Sequence, residues 1–241
     1  MSRDDIFKNK NTLDKDFTFD SKVAEVFDDM LSRSVPCYQQ VIAMTAAILK
    51  KFLHPQDLIC DLGCSTGTTI ISLARILAEL RPVFIGFDNS RAMIDKALIK
   101  AEMYGKKQNV SFLQQDILKF SRSDTGAIIL NYTMQFIRPL DRPKFAARLY
   151  QSLRPGGVLI MSEKVISTNP TINRCYIDFY LDFKRDQGYS EIEITRKREA
   201  LENVLVPFSC RENITMLEQA GFTDVEPFFQ WFNFISFIAI K

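Results

Sequence analysis

Two acids and two glycines define the chemistry open to this chain. The run Ile59-Cys60-Asp61-Leu62-Gly63-Cys64-Ser65-Thr66-Gly67 sets an acid and a glycine-bearing turn after an apolar stretch. A second apolar stretch, Phe84-Ile85-Gly86-Phe87-Asp88-Asn89, ends in another acid. Gly63 and Gly67 let the turn adopt positive φ and let a ligand lie on bare backbone, while Asp88, 25 positions after Gly63, can accept both hydroxyls of a ribose. Together they suit an adenosine held at the carboxyl ends of parallel strands.

Three ligand chemistries compete for such a turn. A dinucleotide wants G-x-G-x-x-G with its pyrophosphate on a helix N-terminus, but Ser65 and Thr68 stand at the second and third glycine positions. Asp61 repels a diphosphate and attracts a cationic amino acid, such as the methionyl part of S-adenosylmethionine with its ammonium and sulfonium. Charge therefore favours S-adenosylmethionine over NAD. The same residues also read G-x-S-x-G, the nucleophile elbow of an α/β-hydrolase with Ser65 as nucleophile. That triad needs a histidine after the serine, and the single histidine, His54, precedes it, so the elbow is rejected. Without a histidine partner, Cys64 reads as a small packing residue in the cofactor turn.

The elements that must position these residues fit one α/β domain in 241 residues. Apolar spacing predicts helices over Ala24 to Met30 and Tyr38 to Phe52, parted by Val35-Pro36. Alternation follows: strand Leu58 to Leu62, helix Thr68 to Glu79, strand Val83 to Asp88, helix Ser90 to Tyr104, and strands Val110 to Gln114 and Thr125 to Asn131. A helix from Arg142 to Leu153, ended by Pro155-Gly156-Gly157, precedes a strand from Val158 to Glu163. Ser167 to Cys210 then interrupts the pattern as a charged helical insertion, and Val225 to Ile240 reads as two apolar strands meeting near Phe232 to Phe234. Such alternation predicts a mainly parallel sheet.

On that sheet Asp61, Asp88, Asp116 and Asn131 share one rim, each at or just past a strand end. Asp116 could accept from the exocyclic amine of adenine, with Ile117 stacking on the ring, or it could cap a short helix. The cations Lys184, Arg185, Arg196, Lys197 and Arg198 of the insertion read, residue by residue, as the solvated face of amphipathic helices balanced by Glu191, Glu193, Glu199 and Glu202.

Composition excludes other classes. With 31 basic and 29 acidic residues the formal charge is +2, which exerts no global pull on nucleic acid or anionic membrane. Of the twenty phenylalanines, Phe228, Phe229, Phe232, Phe234 and Phe237 lie with Trp231 in predicted strands, where such residues pack against helices, and no basic residue interleaves them until Lys241, so no direct tRNA contact is expected. Five cysteines without a C-x-x-C pair support neither a disulfide frame nor zinc, and no metal is expected. The polar start is no signal peptide and no apolar run reaches the roughly 18 residues of a membrane span, so the expectation is a soluble, cytoplasmic protein. The first 16 residues, polar and charged, are expected to be mobile until something covers them.

The D-x-G-x-x-x-G turn, Asp88, Leu153-Arg154-Pro155-Gly156-Gly157 and the terminal hairpin resemble class I S-adenosylmethionine-dependent methyltransferases. More specifically, Phe19 to Phe27 with Arg33 to Tyr38, the Asp-Leu-Gly-Cys-Ser turn, Asn131 to Phe136, and Asp182 to Val204 in the insertion resemble the bacterial carboxy-S-adenosyl-L-methionine synthase family nearly end to end. The resemblance implies a Rossmann-like class I methyltransferase fold with a C-terminal antiparallel hairpin and a helical insertion. It further implies a lid and dimer interface made by the N-terminal helices (about 20–52) and the insertion (about 167–210).

The chemistry that the resemblance implies is carboxylation of the S-methyl group. Prephenate loses carbon dioxide and hydroxide as its ring aromatises, a proton leaves the methyl group, and the ylide captures the carbon dioxide, yielding carboxy-S-adenosyl-L-methionine and phenylpyruvate. A separate tRNA carboxymethyltransferase then uses the product on a wobble uridine. Carried over by position, Tyr38, Asp61, Gly63, Cys64, Ser65, Asp88, Asn89, Asp116, Ile117, Asn131 and Arg198 bind the cofactor. Arg198 also holds the new carboxylate, reaching across from the second subunit of a homodimer. An ordinary small-molecule methyltransferase and a non-catalytic S-adenosylmethionine-binding dimeric module remain the alternatives.

Overall fold

A computed structural model describes residues 3–8, 17–105 and 109–241. Among the described residues seven strands form one sheet: β1 (Leu58–Leu62), β2 (Val83–Asp88), β3 (Val110–Gln114), β4 (Thr125–Asn131), β5 (Leu153–Lys164), β6 (Asp224–Trp231) and β7 (Phe234–Ile240). Their order is β3-β2-β1-β4-β5-β7-β6, with β7 antiparallel to both β5 and β6 and the other pairings parallel. The order reverses between β1 and β4, so a crevice opens beyond their carboxyl ends.

Around the sheet lie α1 (Ser21–Ser34), α2 (Tyr38–Phe52), α3 (Thr68–Ile76), α4 (Arg91–Met103), α5 (Arg142–Ser152), α6 (Pro170–Asp186), α7 (Glu191–Leu201) and α8 (Cys210–Ala220). Both faces of the sheet are covered. One apolar cluster joins α2, α3 and α4 to it, including Leu49, Ile70, Leu73 and Phe84, and a second joins α5 and α8 through Phe145, Leu149 and Leu217. Among the described residues no helix is long and apolar enough to cross a membrane.

Several expectations need correction. Helix α1 begins at Ser21 because the Asp20 side chain accepts from Val23 N. Helix α3 stops at Ile76 and tightens into a 3-10 turn over Ala78–Leu80. Pro155-Gly156-Gly157 does not separate helix from strand, since β5 already starts at Leu153 opposite Thr125. Gly156 N donates to the Lys241 carbonyl at 2.9 Å and Lys241 N to that of Gly157 at 3.0 Å, so pairing overrides the turn signal. Within residues 3–8 the cover comes from the chain itself: Asp4 is buried, and its carboxylate accepts from the Tyr189 hydroxyl at 2.5 Å. The rest of the first 16, residues 1–2 and 9–16, lies outside the described residues.

Candidate functional site

Strand β1 ends in Asp61 and Leu62, and the chain then turns through Gly63 (φ +81°), Ser65 (φ +49°) and Gly67 (φ +76°) into α3. A Cβ at Gly63 would come within 2.5 Å of Thr133 Cγ2, and one at Gly67 within 2.7 Å of Phe112 Cζ, so packing and φ both require glycine. Asp88, at the end of β2, ties this turn to the next one. Its Oδ2 accepts from Ser65 N at 2.9 Å and its Oδ1 from Ser90 N at 2.9 Å. Burial pushes the Asp88 carboxyl up, against the pull of those N–H groups. Cys64 is buried with its thiol against Gly86, and burial with the nearby Asp61 and Asp88 raises it well above an ordinary thiol, which suits a packing group.

Asp61 is the outlier. It is 1% exposed, and neither carboxylate oxygen has a hydrogen-bond partner. Burial first, and Asp88 second, push its carboxyl up to about 7. A buried acid with both oxygens unclaimed, lining a cavity, fits a cation supplied from outside the chain. Beside it, Asn131 donates from Nδ2 to Thr69 Oγ1 at 3.0 Å, and Thr69 also shares a hydrogen bond with the Tyr38 hydroxyl at 3.0 Å. Asn131 Oδ1 and the hydroxyl of Tyr132, a non-glycine residue at φ +63°, are likewise buried without partners. Unclaimed polar atoms therefore concentrate at this rim.

All eleven residues read from the sequence line one cavity of about 720 Å³. Tyr38, Asp61, Asn131 and the Gly63-Cys64-Ser65 turn stand with Asp88 and Asn89, with Asp116 and Ile117, and with Arg198 from α7 of the same chain. Asp116 is at once a lining residue and the N-cap of the 3-10 turn Ile117–Lys119, its Oδ1 accepting from Leu118 N at 2.9 Å.

Other lining residues escaped the sequence. Lys164 ends β5, and Lys184 of α6 and Lys197 of α7 face the same space with Tyr180. Lys184 and Lys197 are only 6% and 5% exposed, which corrects the solvated-face reading for them. Arg185, by contrast, is exposed and pairs with Asp182 and Glu191, as that reading required. Glu163, buried beneath the rim, accepts from Met134 N and Gln135 N at 2.9 Å each and so holds the segment that carries Thr133 against Gly63. Among the described residues no group of three or more His, Cys, Asp or Glu is placed to hold a metal ion.

Over residues 59–157 the chain matches the family described as a methyltransferase domain. It is similar in fold to an O-methyltransferase family protein from Burkholderia thailandensis, with TM-score 0.70 at 14% identity, covering 92% of this chain and 60% of that one. It is also similar in fold to human N-acetylserotonin methyltransferase, solved in complex with S-adenosylmethionine, with TM-score 0.60 at 17% identity, covering 92% and 55%. Those likenesses carry the class I methyltransferase fold. Sequence identity is higher elsewhere: 52% over 239 residues with the carboxy-S-adenosyl-L-methionine synthase of Desulfotalea psychrophila, covering 99% of this chain and 97% of that one. With the synthase of Nautilia profundicola it is 51% over 229 residues, covering 95% and 96%. Since identity at that level extends over nearly the full length of both chains, the chain belongs to the carboxy-S-adenosyl-L-methionine synthase family.

Proposed function

We propose that this enzyme converts S-adenosyl-L-methionine and prephenate into carboxy-S-adenosyl-L-methionine and phenylpyruvate. The observation that carries the reading is the two-signed lining of the cavity. Asp61 and Asp88 form an acidic floor beneath the glycine turn, and Lys164, Lys184 and Arg198 form a cationic wall. A sulfonium nucleoside suits the first and an anionic carboxyl donor the second.

On this reading Asp61 faces the charge of the methionyl part and Asp88 takes the ribose hydroxyls. Asp116 and Ile117 take the adenine, and Gly63, Cys64, Ser65, Asn89, Asn131 and Tyr38 complete the cofactor site. Each oxygen of Asp88 already accepts one backbone N–H and keeps a lone pair for a ribose O–H. Arg198 has no ion pair or hydrogen bond among the described residues and is free to hold the carboxylate formed beside sulfur. Helix α1 and Phe19 border the cavity and, with α6 and α7, would act as the lid that keeps carbon dioxide from escaping before capture.

A homodimer through α6, α7 and the β6–β7 turn belongs to the proposal, and exposed Ile172, Phe179 and Phe232 on that face support it. So does a cytoplasmic setting, with the product handed to a separate tRNA-modifying transferase and no nucleic acid bound here. The test is mass spectrometry of the purified enzyme incubated with both substrates. A nucleoside heavier by one carbon dioxide, with the label of carboxyl-labelled prephenate, is expected. Label passing from the S-methyl group to another acceptor without prephenate would instead indicate an ordinary methyltransferase.

Arg198→Ala is expected to fold normally and to bind S-adenosyl-L-methionine unchanged while holding the carboxylated product about 10- to 100-fold less tightly, read by equilibrium dialysis. Equal retention by variant and parent would remove Arg198 from the site. Mixing Arg198→Ala with Asp88→Ala chains tests exchange between subunits. Tight retention of the carboxylated product is expected to return in the mixture if each cavity takes its guanidinium from the partner, and a mixture that retains no more than its parents assigns Arg198 to the cavity of its own chain.

A further inference from the structure

The cationic wall contains a pair of groups that the cofactor does not need. Lys164, at the end of β5, and Lys184, on α6, bring their Nζ atoms to 4.7 and 4.8 Å from the centre of the Tyr180 ring. Among the described residues neither ammonium has an ion-pair or hydrogen-bond partner. Lys197 differs: it donates to Ser34 Oγ at 2.8 Å and meets the Asp4 carboxylate at 3.5 Å. Tyr180 is itself anchored, its hydroxyl donating to the Ser34 carbonyl at 2.9 Å. Two cations without an anionic partner, both packed against one fixed ring at the wall of a cavity, amount to a site built for an anion.

Resting on the reaction proposed above, we infer that Lys164 and Lys184 bind prephenate by the carboxylate of its pyruvyl side chain, with Tyr180 as the ring both pack against. Prephenate carries two carboxylates with opposite fates. The ring carboxylate leaves as carbon dioxide, its bonding electron pair entering the ring as hydroxide departs from the opposite ring carbon. A cation clamped on that group would stabilise the ground state, because its charge must disperse in the transition state. The pyruvyl carboxylate keeps its charge throughout and remains on phenylpyruvate, so gripping it positions the donor without opposing decarboxylation. Arg198 is left for the new carboxylate beside sulfur.

The electrostatics agree. Burial, then Lys197 and Lys164, push the Lys184 ammonium down to about 7, and burial alone pushes Lys164 down to about 8. The other charged groups that bear on Lys184 are Arg198 of α7 and Asp4, the latter already engaged by Tyr189 and Lys197. An arriving carboxylate restores the charged form, so the anion draws a proton from solvent near neutral pH and binds more weakly as pH rises through about 7 to 8.

The experiment uses Lys164→Met and Lys184→Met, whose unbranched side chains preserve packing against Tyr180, with Lys184→Arg as the charge-retaining control. For each methionine variant the KM for prephenate is expected to rise about 10- to 100-fold, with the dissociation constant for S-adenosyl-L-methionine within about twofold of the parent. Lys184→Arg is expected to recover most of the loss. Phenylpyruvate retains the gripped carboxylate, so its inhibition constant should rise by the same factor as the KM. Calorimetric titration of phenylpyruvate into the S-adenosylhomocysteine-loaded enzyme, in buffers of different ionisation enthalpy, should show proton uptake in the parent and less in Lys184→Met. An unchanged KM in both variants overturns the assignment, as does a raised KM with unchanged phenylpyruvate inhibition. A parent that does not turn over prephenate at all overturns the proposed function and this subsite with it, whereas an active parent with unaffected variants removes the subsite alone.

Discussion

Asp61→Asn is expected to make the ligand-free enzyme more stable and unable to retain S-adenosyl-L-methionine. The folded chain holds the Asp61 carboxyl at about 7, against an ordinary value of 3.8, chiefly because it is buried with no donor on either oxygen. A carboxyl raised in this way binds a proton in the folded state that the unfolded state has already lost. The stability that goes with that proton is fully present below pH ~4 and is lost as pH rises through about 7. Removing the charge should therefore recover roughly 2 to 4 kcal/mol at pH 8, or about 5 to 15 °C in Tm, and almost nothing at pH 4. The same change deletes the anion that faces the ligand's cation, so affinity should fall about 100- to 1000-fold. Thermal melts at the two pH values, with calorimetry for the ligand, check both halves. A variant that melts below the parent at pH 8, or that binds as well, would contradict the account.

Asp88→Ala should move stability the other way. Both Asp88 oxygens are used inside the fold, and truncation leaves Ser65 N and Ser90 N without acceptors where the glycine turn meets α4. Two unpaired donors cost roughly 2 to 5 kcal/mol, seen as a Tm lower by about 5 to 15 °C. Loss of two charge-assisted bonds to the ribose should weaken the cofactor about 100- to 10,000-fold, read by the same calorimetry. Two neighbouring acids on one rim thus give opposite shifts in melting and a shared loss of binding. An Asp88→Ala protein as stable as its parent would mean that the turn holds its shape without the tie.

The acidic rim was legible in the sequence because each member sits where an apolar run stops, and strand ends in such a sheet meet on one edge. Lys164 obeys the same rule one residue beyond Glu163, where the sequence pattern ends the strand. Lys184 and Lys197 were not legible. Their helical spacing among glutamates is that of a wetted face, and only tertiary packing buries them, Lys197 against Ser34 of α1 and Asp4. The cover over Asp4 was not legible for a related reason, since its partners lie nearly 200 positions away. At Gly156 and Gly157 a local turn signal lost to the ladder with Lys241. Helix α8 did carry local signals, a Ser209–Glu212 capping box and Gly221 at its end, which the strong strand pattern after it overshadowed.

The place of β7 has a consequence for the ribosome's order of work. The strand made last of the seven lies inside the sheet, with β5 on one side and β6 on the other. Until Phe234–Ile240 has emerged, β5 must wait with one row of backbone groups unsatisfied while all of α6, α7 and α8 is being synthesised. A nascent chain stalled before Phe234 would therefore carry an open apolar edge, inviting either a chaperone or a second stalled chain.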